Sequence, residues 1–347
     1  MTPAGKGAAA AAIAITMGEP GGIGGEIVLR TWQRRSAATP PFFVIDDPER
    51  LTALADRTHI ATPIVEIESA RDASAAFGHA LPVLPVGEAV PLVLGKPAPQ
   101  HAACVIRSID MASDLAASGE ASAVVTNPIH KSTLYDAGFR HPGHTEYLAD
   151  RAGLTTPPVM MLACPELRVV PATIHLSLAE AIRALTTEQI THCARLTAAS
   201  LQRDFGIPHP RIAVAALNPH AGEDGHLGRE EIEIIQPAMA QLTSEHFTVS
   251  GPSPADTLFH PDARARYDAV ICMYHDQALI PLKTIDFDRG VNVTLGLPYV
   301  RTSPDHGTAF DIAGSGKANH ESFAAAVILA DRMSVNRRTA DAGRRVA

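Results

Sequence analysis

Ala12-Ile13-Ala14-Ile15-Thr16-Met17-Gly18-Glu19-Pro20-Gly21-Gly22-Ile23-Gly24-Gly25-Glu26-Ile27-Val28-Leu29 is the stretch that sets the architecture. A short apolar, β-prone run empties into a glycine-rich loop, and the loop opens onto a helical pattern, as in the first half of a βαβ unit. Lys6 ahead of the apolar residues 8–15 imitates the core of a secretory signal. The run leads into the glycine loop instead of a cleavage site, which favours a buried first strand.

The same alternation continues outward from this stretch. Strands are predicted over residues 12–16, 42–45, 123–126, 159–163, 212–216 and 269–273. Helices are predicted over 101–117, 187–205, 229–242 and 322–333, where apolar residues recur at amphipathic spacing. Strands alternating with helices imply parallel sheets covered by helices, so the fold class is α/β. The chain has 347 residues, 46% of them hydrophobic, more than one compact core usually holds, and two lobes are expected. Proline and glycine cluster in loops, notably over 81–99, with no internal repeat. The Ala-rich opening and the Arg-rich residues 337–347 are expected to be loose tails.

The net charge is -8 with no basic run, so there is no electrostatic footprint for nucleic acid or an anionic membrane. No apolar stretch approaches the length of a membrane span. Small-molecule chemistry is left. Cys104, Cys164, Cys193 and Cys272 form no CxxC pair, which fits a reduced, cytoplasmic protein.

Sixteen histidines are many for this length, but position says more than number. Ligands of open α/β sheets bind beyond the carboxyl ends of strands. Three histidines sit there: His175 at the end of Val169-Val170-Pro171-Ala172-Thr173-Ile174-His175, His220 in Asn218-Pro219-His220, and His275 in Met273-Tyr274-His275-Asp276. A single such histidine usually caps a turn. Three in equivalent positions predict an open divalent-metal site, with zinc the natural fit.

The loop over residues 18–25 offers backbone N-H groups to an anion but lacks GxGxxG spacing, and a tight turn would use glycines the same way. The second loop, Asp305-His306-Gly307-Thr308-Ala309-Phe310-Asp311-Ile312-Ala313-Gly314, resembles the adenosine-binding loop of isopropylmalate and isocitrate dehydrogenases. Together they are expected to hold a cofactor, with Gly24 from the first and His306, Gly307, Thr308, Asp311 and Gly314 from the second, followed by Asn319. Gly143-His144-Thr145-Glu146, Lys283, Asn292 and Arg301 are candidates for gripping a phosphate or carboxylate; Lys283 and Arg301 interrupt apolar sequence, unlike ordinary surface charges.

Gly143-His144-Thr145-Glu146, Asn218-Pro219-His220-Ala221-Gly222-Glu223, Pro254-Ala255-Asp256-Thr257-Leu258-Phe259, Met273-Tyr274-His275-Asp276-Gln277 and residues 290–314 resemble the 4-hydroxythreonine-4-phosphate dehydrogenase family over nearly the whole chain. The resemblance implies two α/β/α domains with an active-site cleft between them, as in isocitrate and isopropylmalate dehydrogenases. Residues 1–130 with 305–347 would bind NAD or NADP, and 131–304 would carry metal, substrate and dimer contacts. It implies His175, His220 and His275 as ligands of one divalent ion (zinc, magnesium or cobalt), and His144, Thr145, Lys283, Asn292 and Arg301 as substrate contacts. A homodimer with shared active sites follows from the same likeness. Gly24-Gly25-Glu26 departs from the usual Gly-Pro-Glu, and Gln277-Ala278 from Gln-Gly, without removing a charged or ligating group.

The implied reaction is NAD-linked oxidation of 4-hydroxythreonine 4-phosphate to a 3-oxo acid, which decarboxylates to 3-amino-2-oxopropyl phosphate on the way to pyridoxal phosphate. Lys131, Asp276 and metal-bound water are the candidates for the general base. A dehydrogenase of threonate or erythronate 4-phosphate, and a metal-dependent aldolase or hydrolase, are the alternatives.

Overall fold

The computed structural model describes residues 11–346. It divides into two compact units, one of residues up to His144 with Pro298–Asp331, the other of Thr145–Leu297 with the residues from Arg332 onward. The Ala-rich opening, except its last residues, lies outside the described part. The strands are β1 (Ile13–Thr16), β2 (Phe42–Asp46), β3 (Ile64–Glu66), β4 (Leu81–Pro85), β5 (Val124–Val125), β6 (Val159–Cys164), β7 (Leu167–Pro171), β8 (Arg211–Ala215), β9 (Thr248–Ser253), β10 (Ala269–Cys272), β11 (Val291–Leu295) and β12 (Arg301–Pro304).

In the first unit the strand order is β3-β4-β2-β1-β5-β12, every pairing parallel. Every residue of β1 and β2 is buried, because helices cover both faces of a parallel sheet and leave no side for polar residues. Continuous rather than alternating hydrophobicity follows. Phe42 anchors this core, edge-on to Phe77 at 4.8 Å and to Phe323 at 6.4 Å between ring centroids. Truncating it to alanine would cost about 3–5 kcal/mol.

In the second unit the order is β11-β6-β7-β10-β8-β9. β6 runs antiparallel to both its neighbours, β11 and β7, whereas β7, β10, β8 and β9 are parallel. Leu162, Val169, Val270, Leu258 and Leu282 pack into its core. The parallel group places the carboxyl ends of β7, β10 and β8 side by side, and the loops that follow them start from one edge.

All six predicted strands are present, with ends displaced by a residue or so. The helix predicted over 229–242 is broken into a π-helical turn, Glu231–Ile235, and an α-helix, Gln236–Ser244. Pro237, which has no N-H to donate backward, stands in the first turn of the second piece. The loose tail expected over 337–347 is corrected: the last helix runs Glu321–Val346. Arg337 docks it, donating to Asp204 at 2.7 and 2.9 Å, with Asp204 almost wholly buried. Among the described residues no helix is long and apolar enough to cross a membrane. The four cysteines are free and buried.

Candidate functional site

The histidines follow three neighbouring parallel strands. β7 leads to His175, β10 to His275 at the start of helix His275–Ile285, and β8 to the loop holding His220. His175 and His275 line one cavity of about 230 Å³ with Thr173, Tyr274 and Asp276, their ring centroids 6.3 Å apart. Thr173 Oγ1 donates to the Met273 carbonyl at 2.8 Å and fastens the two loops together. His275 Nδ1 lies 2.7 Å from Asp276 Oδ1. That contact fixes the ring and leaves Nε2 as the face able to bind a cation, the usual carboxylate support of a metal-binding imidazole.

His175 and His220 share a second feature, positive φ of 56° and 53°. Side chains with a Cβ rarely adopt this region, and residues held there cluster at functional sites. Around His220 the strain is extended. His220, Ala221, Gly222, Glu223 and Asp224 all have φ between 43° and 78°, a left-handed turn in which only Gly222 escapes a steric cost of about 1–2 kcal/mol per residue. Buried Glu231 faces the start of this loop. Its Oε1 accepts from the Leu217 and Asn218 N-H groups at 2.8 Å each, and its Oε2 from Asn218 Nδ2 at 2.9 Å. Asn218 Nδ2 also donates to Glu230 Oε2 at 2.7 Å, a bond that holds the Glu230 carboxyl below its usual pKa range.

The donor set fits an imidazole-bound divalent ion: two rings share a cavity, and a third begins from the adjacent strand. His220 is not among the residues lining the His175–His275 cavity, and among the described residues no group of three His, Cys, Asp or Glu side chains is assembled closely enough to hold an ion.

Of the other residues singled out in the second unit, Lys283 lies in the last turn of helix His275–Ile285, its Nζ 5.6 Å from the Phe287 ring. Asn292 is on β11 opposite Leu162, with its Oδ1 buried and unpartnered. Thr145 is half-buried in helix His144–Arg151. Asp276 is exposed and engaged with His275.

In the first unit, Arg301 is only 4% exposed, which removes the reading of an ordinary surface charge. Its guanidinium donates to Thr126 Oγ1 at 3.2 and 2.5 Å. His144 keeps some exposed surface, but its Nε2 is sealed from solvent and unpartnered. Burial, then the charges of Arg301 and Lys131, hold its pKa well below the ordinary histidine value. The ring is therefore neutral at physiological pH. Lys131 is exposed at the start of helix Lys131–Asp136.

The two glycine-rich loops meet. Ile23 N-H donates to the Thr308 carbonyl at 3.0 Å, and a Cβ on Gly22 would stand 2.9 Å from that same oxygen. Glu26, 1% exposed, accepts from the Gly314 and Ala318 N-H groups at 3.0 Å each and so shapes the second loop. Gly24 is buried in the first turn of helix Gly24–Gln33, where a Cβ would crowd Met17 and Asn127. Gly307 faces open space, His306 Nδ1 lies 3.0 Å from the Gly307 carbonyl, Thr308 is half-buried, and Asp311 and Asn319 are exposed. Sequence reasoning missed Glu26, Asn218 and Glu231 as loop-shaping groups. Glu26 and Glu231 bind backbone N-H groups, and Asn218 binds the Glu230 and Glu231 carboxylates, all at separations that no local spacing signals.

Residues 38–330 match the model of the pyridoxal phosphate biosynthetic protein PdxA family. The chain belongs to that family. A 4-hydroxythreonine-4-phosphate dehydrogenase of Caulobacter vibrioides is 51% identical over 330 residues, covering 94% of this chain and 98% of the relative. The crystal structure of a 4-hydroxythreonine-4-phosphate dehydrogenase from Klebsiella pneumoniae superposes with a TM-score of 0.84 at 37% identity, covering 96% of this chain and all of the other. More distant is a terephthalate 1,2-cis-dihydrodiol dehydrogenase from Burkholderia xenovorans, with a TM-score of 0.63 at 28% identity over 93% of this chain and 98% of the other. The family's fold thus accompanies dehydrogenases named for phosphorylated and for unphosphorylated substrates.

Proposed function

We propose that this chain is an NAD(P)- and metal-dependent dehydrogenase that oxidises 4-hydroxythreonine 4-phosphate to a 3-oxo acid, which decarboxylates to 3-amino-2-oxopropyl phosphate in pyridoxal phosphate synthesis. The observation that carries it is the set of three histidines following adjacent parallel strands, two of them in strained left-handed backbone. His175, His220 and His275 would hold one divalent ion, zinc by donor chemistry. When bound, the ion acts as a Lewis acid that lowers the pKa of the substrate hydroxyl.

The chain's own residues do the rest. Asp276 holds the His275 ring through Nδ1, which makes it an orienting group and keeps Lys131 a candidate proton carrier. Lys283, Asn292 and Thr145 in the second unit, and Arg301 and neutral His144 in the first, are proposed contacts for the substrate's phosphate and carboxylate. Charged and polar donors of this kind compensate an anion for lost water. The loops around Gly24 and around His306, Gly307, Thr308, Asp311, Gly314 and Asn319 are proposed to take the dinucleotide, shaped from beneath by Glu26.

A homodimer is supported by apolar side chains exposed beside the histidine cavity and along helix His275–Ile285: Leu176 at 45%, Leu178 at 57%, Ile280 at 64% and, just past that helix, Phe287 at 75%. A cytoplasmic location agrees with four free, buried cysteines.

The reading is tested by incubating the metal-loaded protein with NAD or NADP and 4-hydroxythreonine 4-phosphate, following the reduced nicotinamide absorbance. Turnover confined to the phosphorylated compound is expected. Faster turnover of threonate or erythronate 4-phosphate, or of an unphosphorylated acid, would move the assignment to that substrate.

A further inference from the structure

We infer that Glu231 is a positioning residue for metal capture by His220, acting through the left-handed turn. The inference rests on the proposed ligand role of His220, but its argument comes from the loop. Five consecutive residues from His220 to Asp224 lie in left-handed backbone, and this turn must be held from outside because four of them are not glycine. The hold is a carboxylate. Glu231, 1% exposed, gathers the Leu217 N-H, the Asn218 N-H and Asn218 Nδ2 onto its two oxygens, fixing the chain immediately before Pro219 and His220. A Cβ on Gly222 would lie 2.6 Å from Glu231 Oε2, so the carboxylate also packs against the middle of the turn.

The same carboxylate has an electrostatic consequence. It is buried, and no lysine or arginine among the described residues forms an ion pair with it. Three N-H donors satisfy its oxygens but do not cancel its charge. A negative charge beneath the loop, with no contact to the His220 ring, favours a cation brought to His220 through space. Glu231 thus aims the ligand and biases the site toward positive charge without touching the ion. Glutamine preserves the shape, but its amide NH2 replaces one acceptor and the charge is gone, so Glu231→Gln separates these effects from simple packing.

The test is competition for Zn²⁺ between the purified protein and a chromogenic chelator, with circular dichroism confirming that each variant is folded at the assay temperature. Glu231→Gln is expected to weaken Zn²⁺ binding ten- to a hundredfold, and Glu231→Asp to restore part of it. Glu233→Gln, an exposed neighbour, should bind as the unmodified chain does. If Glu231→Gln does not fold, Asn218→Ala removes one of the three bonds to Glu231 and should show a smaller weakening in the same direction. Unchanged Zn²⁺ affinity in folded Glu231→Gln or, in its place, Asn218→Ala, alongside lost affinity in His220→Ala, overturns the positioning role and leaves the metal site standing. Unchanged affinity in His220→Ala overturns the ligand assignment, and the inference with it.

Discussion

His144 faces two cations in its own unit, Arg301 and Lys131, and burial removes the water that would stabilise its charge. An imidazole whose folded pKa lies below its unfolded value binds fewer protons in the folded chain, so its contribution is full above the unfolded pKa and is lost as pH falls toward the folded one. The window therefore opens below about pH 6.5, with a slope of at most about 1.4 kcal/mol per pH unit for each such group. His320, lowered first by burial and then by Arg34 and Arg30 against the opposing Glu321, adds to the same slope. The melting temperature should fall on acidification from about pH 7 to about pH 5, and His144→Gln should flatten part of that fall. A melting curve with no pH dependence in this window would remove the buried-neutral description of His144. Lys283 gives a kinetic counterpart: Lys283→Ala should lower kcat/KM for the phosphorylated substrate about a hundredfold with metal content unchanged. Steady-state rates on the phosphorylated and unphosphorylated compounds check it, and equal losses on both would remove the phosphate contact.

Among the elements, the left-handed turn and the end of the last helix are each held by side chains distant in sequence. Gly222→Ala puts a Cβ at φ +78° and against Glu231 Oε2, so it should destabilise the chain by about 1–2 kcal/mol in urea unfolding. Arg337→Ala should leave the second-unit core intact while raising hydrogen exchange over the last helix beyond Ala330, because the guanidinium pair with Asp204 helps dock that end beside the Asn336 bond to the Asp204 carbonyl. These dependencies mark what a reader of the sequence could and could not see. β1, β2 and β10 were legible because both their faces are buried and every residue is apolar or nearly so. β3 and β9 were not, since they lie at the outer ends of the strand order, half-exposed and without an apolar run. β12, Arg-Thr-Ser-Pro, is buried yet polar up to its closing proline, the opposite of a core signature. The three histidines could be picked out because each interrupts sequence just after an apolar strand. Glu231 could not, because its partners are backbone N-H groups 13 and 14 residues earlier.

Across the whole molecule, the exposed apolar side chains near His175 and His275 predict a homodimer whose loss abolishes turnover. Phe287→Asp with Ile280→Asp should give a monomer in sedimentation velocity with little activity; a fully active monomer would end the dimer proposal. Mixing two inactive variants altered at different contacts should restore activity if sites are completed across the dimer. The buried thiols give the molecule a further property. Burial pushes Cys193 up to about 12, and it raises Cys104, Cys164 and Cys272 as well, so none carries appreciable thiolate while the chain is folded. A thiol-modifying reagent then reacts only when a unit opens. Cys104 belongs to the first unit and the other three to the second. Pulsed alkylation read by mass spectrometry would therefore time the opening of each half separately, with the chain's native cysteines as the clock.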